Sequence, residues 1–235
     1  MFTFESQGRR LTVAQAHDWQ QAMAERIVCH DDMNDVRTIA GVDVGFEENG
    51  TVTRSAVAVL AFPQLQLLDF TIARLPTCMP YIPGLLSFRE TPAVLAALQQ
   101  LTVKPDLLLC DGQGRAHPRR FGVACHVGLL SGIPAIGVGK QKLCGEHDVL
   151  PDEKNSVVAL TEGQETIGTV LRSRRGVKPL YVSIGHRVSL TSAVHFVQQS
   201  LAGFKLPEPI RWADGLASNR GKTVEKANHI LGRTS

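Results

Sequence analysis

Two hydrophobic periods run along this chain, and the switch between them divides it. Residues 11–29 place Val13, Ala16, Trp19, Met23, Ile27 and Val28 near helical spacing, which predicts an amphipathic helix. Residues 38–46 (TIAGVDVGF) predict a strand, and Glu47–Gly50 a turn. SAVAVLAF (55–62) and LQLLDFTIARL (65–75), parted by a turn at Pro63-Gln64, complete an antiparallel meander. The pattern then changes. TPAVLAALQQL (91–101) predicts a helix with Pro92 in its first turn. DLLLCD (106–111) is a short apolar strand of the kind buried on both faces. FGVACHVGLLSG (121–132) predicts a helix and PAIGVGK (134–140) another apolar strand. Further β-like segments (SVVAL, TIGTVLR, PLYVSIG) fall within 156–185, and a helix over 190–202 follows. The expected fold class is α/β: one mixed sheet, an antiparallel meander then parallel strands, flanked by helices. Nothing marks a domain boundary, so residues 1–235 are expected to form one domain, with an N-terminal helix inside 1–35 and a peripheral tail over 215–235.

Composition narrows the class. Hydrophobic residues at 43% and charged residues at 20% are ordinary globular usage, which excludes disorder and fibre. A length of 235 residues suffices to bury a core without staples. The mean hydropathy of −0.01 and the lack of a long apolar run exclude a membrane span. The opening MFTFESQGRR lacks the apolar stretch of a secretory signal. A net charge of +3 permits a polyanionic partner without demanding one. The five cysteines show no C-x-x-C spacing, which predicts reduced thiols, a cytoplasmic location and no zinc site.

Candidate chemistry sits on the strands. Asp43 lies between Val42 and Val44 in an otherwise apolar strand. A carboxylate there is costly unless it is paired or binds a cation, or the strand end frays. Asp111 ends the strand DLLLC and opens the loop GQGRAHPRR, beyond the carboxyl end of a parallel strand, where α/β sheets bind ligands. If these strands are neighbours, about 4.8 Å apart, both carboxylates could share one cation, and oxygen donors favour Mg²⁺ over Zn²⁺. Glu90 could supply a third carboxylate, or be a solvated helix residue. Arg115, His117, Arg119, Arg120 and Lys140 gather at the same sheet ends and make a place for metal plus phosphate, or else balance charge on a solvated loop. The loop PTCMPYIPG (76–84) is stiffened by three prolines around Tyr81 and Ile82. Such a loop could wedge between bases, or fold its tyrosine onto the core. Gly112-Gln113-Gly114 is no dinucleotide fingerprint, and His186 and Ser189 have no nucleophile elbow.

Six stretches together resemble the endonuclease V family, the deoxyinosine 3′ endonucleases of bacterial type. They are GVDVGF (41–46), MPYIPGLLSFRE (79–90), PDLLLCDGQGRAHPRRFGVACHVG (105–128), PAIGVGKQKLCG (134–145), GHRVSL (185–190) and LPEPIRWAD (206–214). The resemblance implies an RNase H-like fold and a Mg²⁺-dependent enzyme, with Mn²⁺ able to substitute. It implies binding of DNA containing deoxyinosine, the product of adenine deamination. It implies cleavage of the second phosphodiester bond 3′ to the lesion, leaving 3′-hydroxyl and 5′-phosphate ends. By motif position Asp43, Asp111 and Glu90 would be metal ligands, and His117 and Lys140 the other catalytic groups. Pro80, Tyr81, Ile82 and Pro83 would form the wedge. Gly84, Leu86, Gly112, Gly114, Val123 and Gly137 would form the pocket for the flipped base, with Arg119 and Arg120 as phosphate contacts. Gln113 departs from the family pattern, which often has His there. A monomer is expected, since no coiled coil or spare apolar stripe is left over. An inosine-specific ribonuclease of the same fold, a non-catalytic binder of damaged nucleic acid and a small-molecule enzyme with a phosphate loop are the rival readings.

Overall fold

The computed structural model describes residues 3–6, 9–218 and 220–233. A short hairpin of β1 (Thr3–Ser6) and β2 (Arg9–Thr12) leads into α1 (Val13–Ala24). Thr12 and Gln15 form a reciprocal capping box that starts this helix, so it is shorter than the predicted 11–29.

The sheet forms next. β3 (Thr38–Glu47), β4 (Val52–Ala61) and β5 (Leu67–Pro76) are the expected meander. α2 (Leu86–Gln100) leads to β6 (Leu107–Asp111), and α3 (Val123–Ser131) to β7 (Ala135–Gly139). β8 (Val157–Glu162), β9 (Glu165–Leu171) and β10 (Leu180–His186) close the sheet in the order β5-β4-β3-β6-β7-β10-β9-β8. β3, β6 and β7 run parallel, with Val42 opposite Cys110 and Asp111 opposite Val138. The strands carrying Asp43 and Asp111 are therefore neighbours.

Two layers of helix cover the sheet. α2 and α3 bury Val94, Ala97, Leu98, Ala124 and Val127 against one face. On the other face lie α4 (Leu190–Gln199), α5 (Glu208–Ala217) and α6 (Thr223–Ile230), packed over Ile39, Leu109, Ile136 and Val182. Two expectations are corrected here. α2 begins five residues before Thr91, so Pro92 falls inside the helix rather than in its first turn. Proline has no N–H for the Phe88 carbonyl. The Cys78 thiol takes that place, its Sγ 3.3 Å from Phe88 O. The tail is not peripheral either: α6 buries Ala227, and the Arg233 guanidinium bonds Phe70 O at 3.1 Å and pairs with Asp69. All five cysteines are free. Among the described residues, no helix is long and apolar enough to cross a membrane.

Candidate active site

The alternation of β3 explains the site. Gly41, Asp43 and Gly45 share one face of the strand, and Val42 and Val44 pack on the other. A Cβ at Gly41 would stand 1.9 Å from Pro209 O, and one at Gly45 2.6 Å from Ala217 O. The glycines thus let the backbone of α5 settle directly on β3. Asp214, between those two contacts on α5, is brought over Asp43. Asp43, Asp111 and Asp214 each offer a carboxylate oxygen, all within 4.8 Å of one another.

Charge is concentrated there. Burial lifts the Asp43 carboxyl above its ordinary range, and the Asp111 charge adds to it. Burial raises Asp111 too, although Lys140 pulls it the other way. Glu90, 8% exposed on α2, is within electrostatic reach of the cluster; burial and then Asp43 and Asp111 push it up to about 8. Lys140 directly follows β7, pairs with Asp111, and places Nζ 3.2 Å from Asp214 Oδ1. Partial burial opposes its charge, but these carboxylates outweigh it and hold Lys140 protonated. Arg220 Nη1 reaches Asp214 Oδ2 at 3.4 Å. Several mutually repelling carboxylates that offer only oxygen make a donor set suited to a hard divalent cation such as Mg²⁺ or Mn²⁺.

A cavity of about 220 Å³ opens beside this cluster. Gly84, Leu86, Gly112 and Val123 line it, joined by Tyr81, Ser87, Gln113, His117, Gly122 and the 141–143 segment. Gly114 and Gly137 are not among the lining residues. They pack beneath the loop, where a Cβ on Gly137 would lie 2.2 Å from Gly114 N. The first turn of α2 has no side-chain cap, and its Leu86 and Ser87 line the cavity. Tyr81 is 64% exposed at the rim, with Met79, Ile82 and Leu85 packed around Phe88 and α1 beneath it. Gln113 ties the loop after β6 to the segment after β7, donating through Nε2 to Gln141 O at 2.8 Å.

The basic loop is used within the protein. Arg119 donates to Gln20 Oε1 at 2.6 Å and to Gly84 O at 2.8 Å. Gln20, fully buried on α1, donates in turn to Gly84 O at 3.0 Å and Phe121 O at 3.2 Å. Arg120 pairs with Glu162 at 2.6 Å and Glu165 at 2.8 Å. The guanidiniums read as phosphate contacts therefore clamp the loop in place. His117 is 4% exposed, and its Nδ1 accepts from Arg119 N at 3.2 Å. Burial, then the Arg119 charge, lowers it to about 4, so the ring is neutral near neutral pH. It belongs to the cavity wall. Sequence reasoning passed over Asp214 and its helix, although Ile210, Ala213, Leu216 and Ala217 repeat at helical spacing.

Comparison with known proteins gives the family and the fold. The family model for endonuclease V matches residues 21–215. An endonuclease V of Rippkaea orientalis is 49% identical over 213 residues, covering 91% of this chain and 93% of its own. The crystal structure of the Streptomyces avermitilis endonuclease V has a TM-score of 0.84 at 36% identity, covering 92% of this chain and 95% of that one. The Ciona intestinalis endonuclease V, solved in complex with a 24mer DNA containing an inosine followed by a ribo-adenosine, has a TM-score of 0.76 at 26% identity, covering 90% and 98%. The mixed sheet is the expected RNase H-like arrangement. The family match spans the carboxylate strands, the cavity and α5 alike, and this chain belongs to the endonuclease V family of nucleic-acid endonucleases.

Proposed function

We propose that this endonuclease recognises deoxyinosine in DNA and hydrolyses the second phosphodiester bond 3′ to it, leaving 3′-hydroxyl and 5′-phosphate ends, with Mg²⁺ or Mn²⁺ as cofactor. The observation that carries the reading is the three-carboxylate cluster set beside a base-sized cavity. Asp43, Asp111 and Asp214 would hold the cation, with Glu90 as a further carboxylate. A divalent ion there supplies an activated water and neutralises charge on the phosphate. Lys140, protonated and at the cluster, donates to a phosphate oxygen and so favours the charge that builds up on it. His117, neutral, holds Gly84 and Arg119 in the cavity wall.

Lesion choice follows from base flipping, which is least costly where pairing is already weak. Tyr81 and its prolines fill the gap left in the stack. The uncapped N–H groups of α2 face the 6-carbonyl of hypoxanthine, an acceptor. Adenine offers an amino donor there and leaves them unpaired. The family's inosine-DNA complex from Ciona intestinalis favours the same class of substrate. The test is a nicking assay on end-labelled duplexes carrying one deoxyinosine or one riboinosine, with Mg²⁺ or EDTA. A Mg²⁺-dependent nick between the 3′ neighbour of deoxyinosine and the nucleotide after it is expected. Cutting of the ribo-substrate alone moves the activity to RNA, and tight binding without cutting makes the protein a binder.

A further inference from the structure

The strand registers bring a second basic element to the active edge of the sheet. β10 runs antiparallel to β7, with Tyr181 opposite Gly139, so its first residues lie beside the Lys140 end of β7. β9 ends opposite the same point, with Leu171 paired to Leu180. The connection between them, residues 172–179 (RSRRGVKP), therefore emerges at the edge that carries the carboxylates. Arg172 fixes it from inside: its guanidinium bonds Val177 O, Pro151 O at 3.2 Å and Leu150 O at 3.4 Å. Asp152 accepts from Gly176 N at 3.0 Å. So anchored, the loop leaves Arg174, Arg175 and Lys178 exposed.

Lys205 joins this group from the segment before α5. It is half-buried; burial first, and then the charges of Lys140 and Lys178, disfavour its charged form, while Asp111 favours it. Three lysines thus gather beside the carboxylate cluster, Lys140 and Lys178 each within electrostatic reach of Lys205. Such an arrangement is favourable when a polyanion lies across it. Its position is specific. The base cavity lies toward α2 and α3, whereas Lys205 comes from the α5 side of the sheet and Lys178 from the β9–β10 connection. The carboxylates stand between.

We propose that Lys205, Lys178 and the exposed arginines of the 172–179 loop bind the phosphates of the substrate strand beyond the scissile bond, on its 3′ side. This rests on the proposed function: a flipped base in the cavity and a scissile phosphate at the carboxylates direct the continuing strand onto this surface. The surface gives no base readout and adds affinity through backbone charge alone.

The experiment compares the full-length protein with the double variant Lys178→Gln, Lys205→Gln on two inosine-containing duplexes. One carries a long 3′ extension beyond the cut, and the other ends one nucleotide after it. In the unaltered protein the extension is expected to raise kcat/KM about tenfold at low salt. In the double variant that gain falls to within about twofold, and the salt dependence on the long duplex becomes shallower by about one to two in log–log slope. A variant that keeps the full gain overturns the proposal. So does an unaltered protein that cuts both duplexes equally well. An unaltered protein that cuts neither fails the proposed function itself, and the track falls with it.

Discussion

At the scale of single residues, the candidate site brings together three aspartates from three segments, Asp43 on β3, Asp111 at the end of β6 and Asp214 on α5. Asp43 and Asp111 stood out because a charge within or ending an apolar strand needs a reason. Asp214 did not. On an amphipathic helix an aspartate beside Arg211 and Trp212 reads as ordinary polar surface. What makes it a site residue is the contact of α5 with Gly41 and Gly45, a tertiary fact that the G-x-D-x-G alternation hints at without naming the partner. Loss of an outer-shell partner of a metal already costs 10–100-fold in activity. Asp43→Asn and Asp214→Asn should therefore each lower kcat by at least about 100-fold in Mg²⁺-dependent nicking. Thermal melting in EDTA should show no loss of Tm in either variant, since each removes one charge from a repelling cluster. Near-normal nicking by Asp214→Asn would remove it from the ligand set.

At the scale of elements, the loop that carries Tyr81 and the start of α2 are held from below by α1. Most strands were readable from period and turn residues, because burial on both faces leaves apolar runs such as DLLLC. The start of α2 was not, because Pro92 resembles a first-turn proline and the tertiary partner of the Phe88 carbonyl, Cys78, lies ten residues back. The role of Gln20 was equally hidden: a glutamine on an amphipathic helix gives no sign that it is fully buried between Gly84, Phe121 and Arg119. Gln20→Leu keeps its bulk but leaves Phe121 O and the Arg119 Nε–H unpaired. The expected cost is about 1–3 kcal/mol, read as a lower urea midpoint at unchanged m. Tyr81→Ala acts on the same loop from the exposed side and should leave that midpoint in place. Its effect belongs to binding: about 1–3 kcal/mol weaker affinity for an inosine duplex, the worth of one stacked ring. Titration of labelled duplex in EDTA measures it, and equal affinity would end the wedge assignment.

At the scale of the whole molecule, the buried charges make stability depend on pH and on the cation together. Asp43, Asp111 and Glu90 all have raised carboxyl groups in the folded state, Glu90 to about 8. Between the ordinary carboxyl range and these values the folded chain binds more protons than the unfolded one, so stability falls as pH rises. The buried histidines act oppositely. Burial lowers His126 to about 3 and His117 to about 4. The unfolded chain therefore binds more protons there below about pH 6.5, and stability rises up to that point. Above it the histidine contribution is complete and the carboxylates alone set the slope. In EDTA, Tm should decline from pH 6.5 to 8. A divalent cation binds the ionised cluster of the folded chain, so Mg²⁺ or Mn²⁺ should raise Tm more at pH 8 than at pH 6 and flatten the decline. Glu90→Gln, which removes the carboxyl raised to about 8, should flatten it without added metal. Scanning calorimetry across this range decides the matter: a Tm that holds or climbs to pH 8 in EDTA, with equal gains from Mg²⁺ at both ends, would mean that these carboxylates are not held together against their own repulsion.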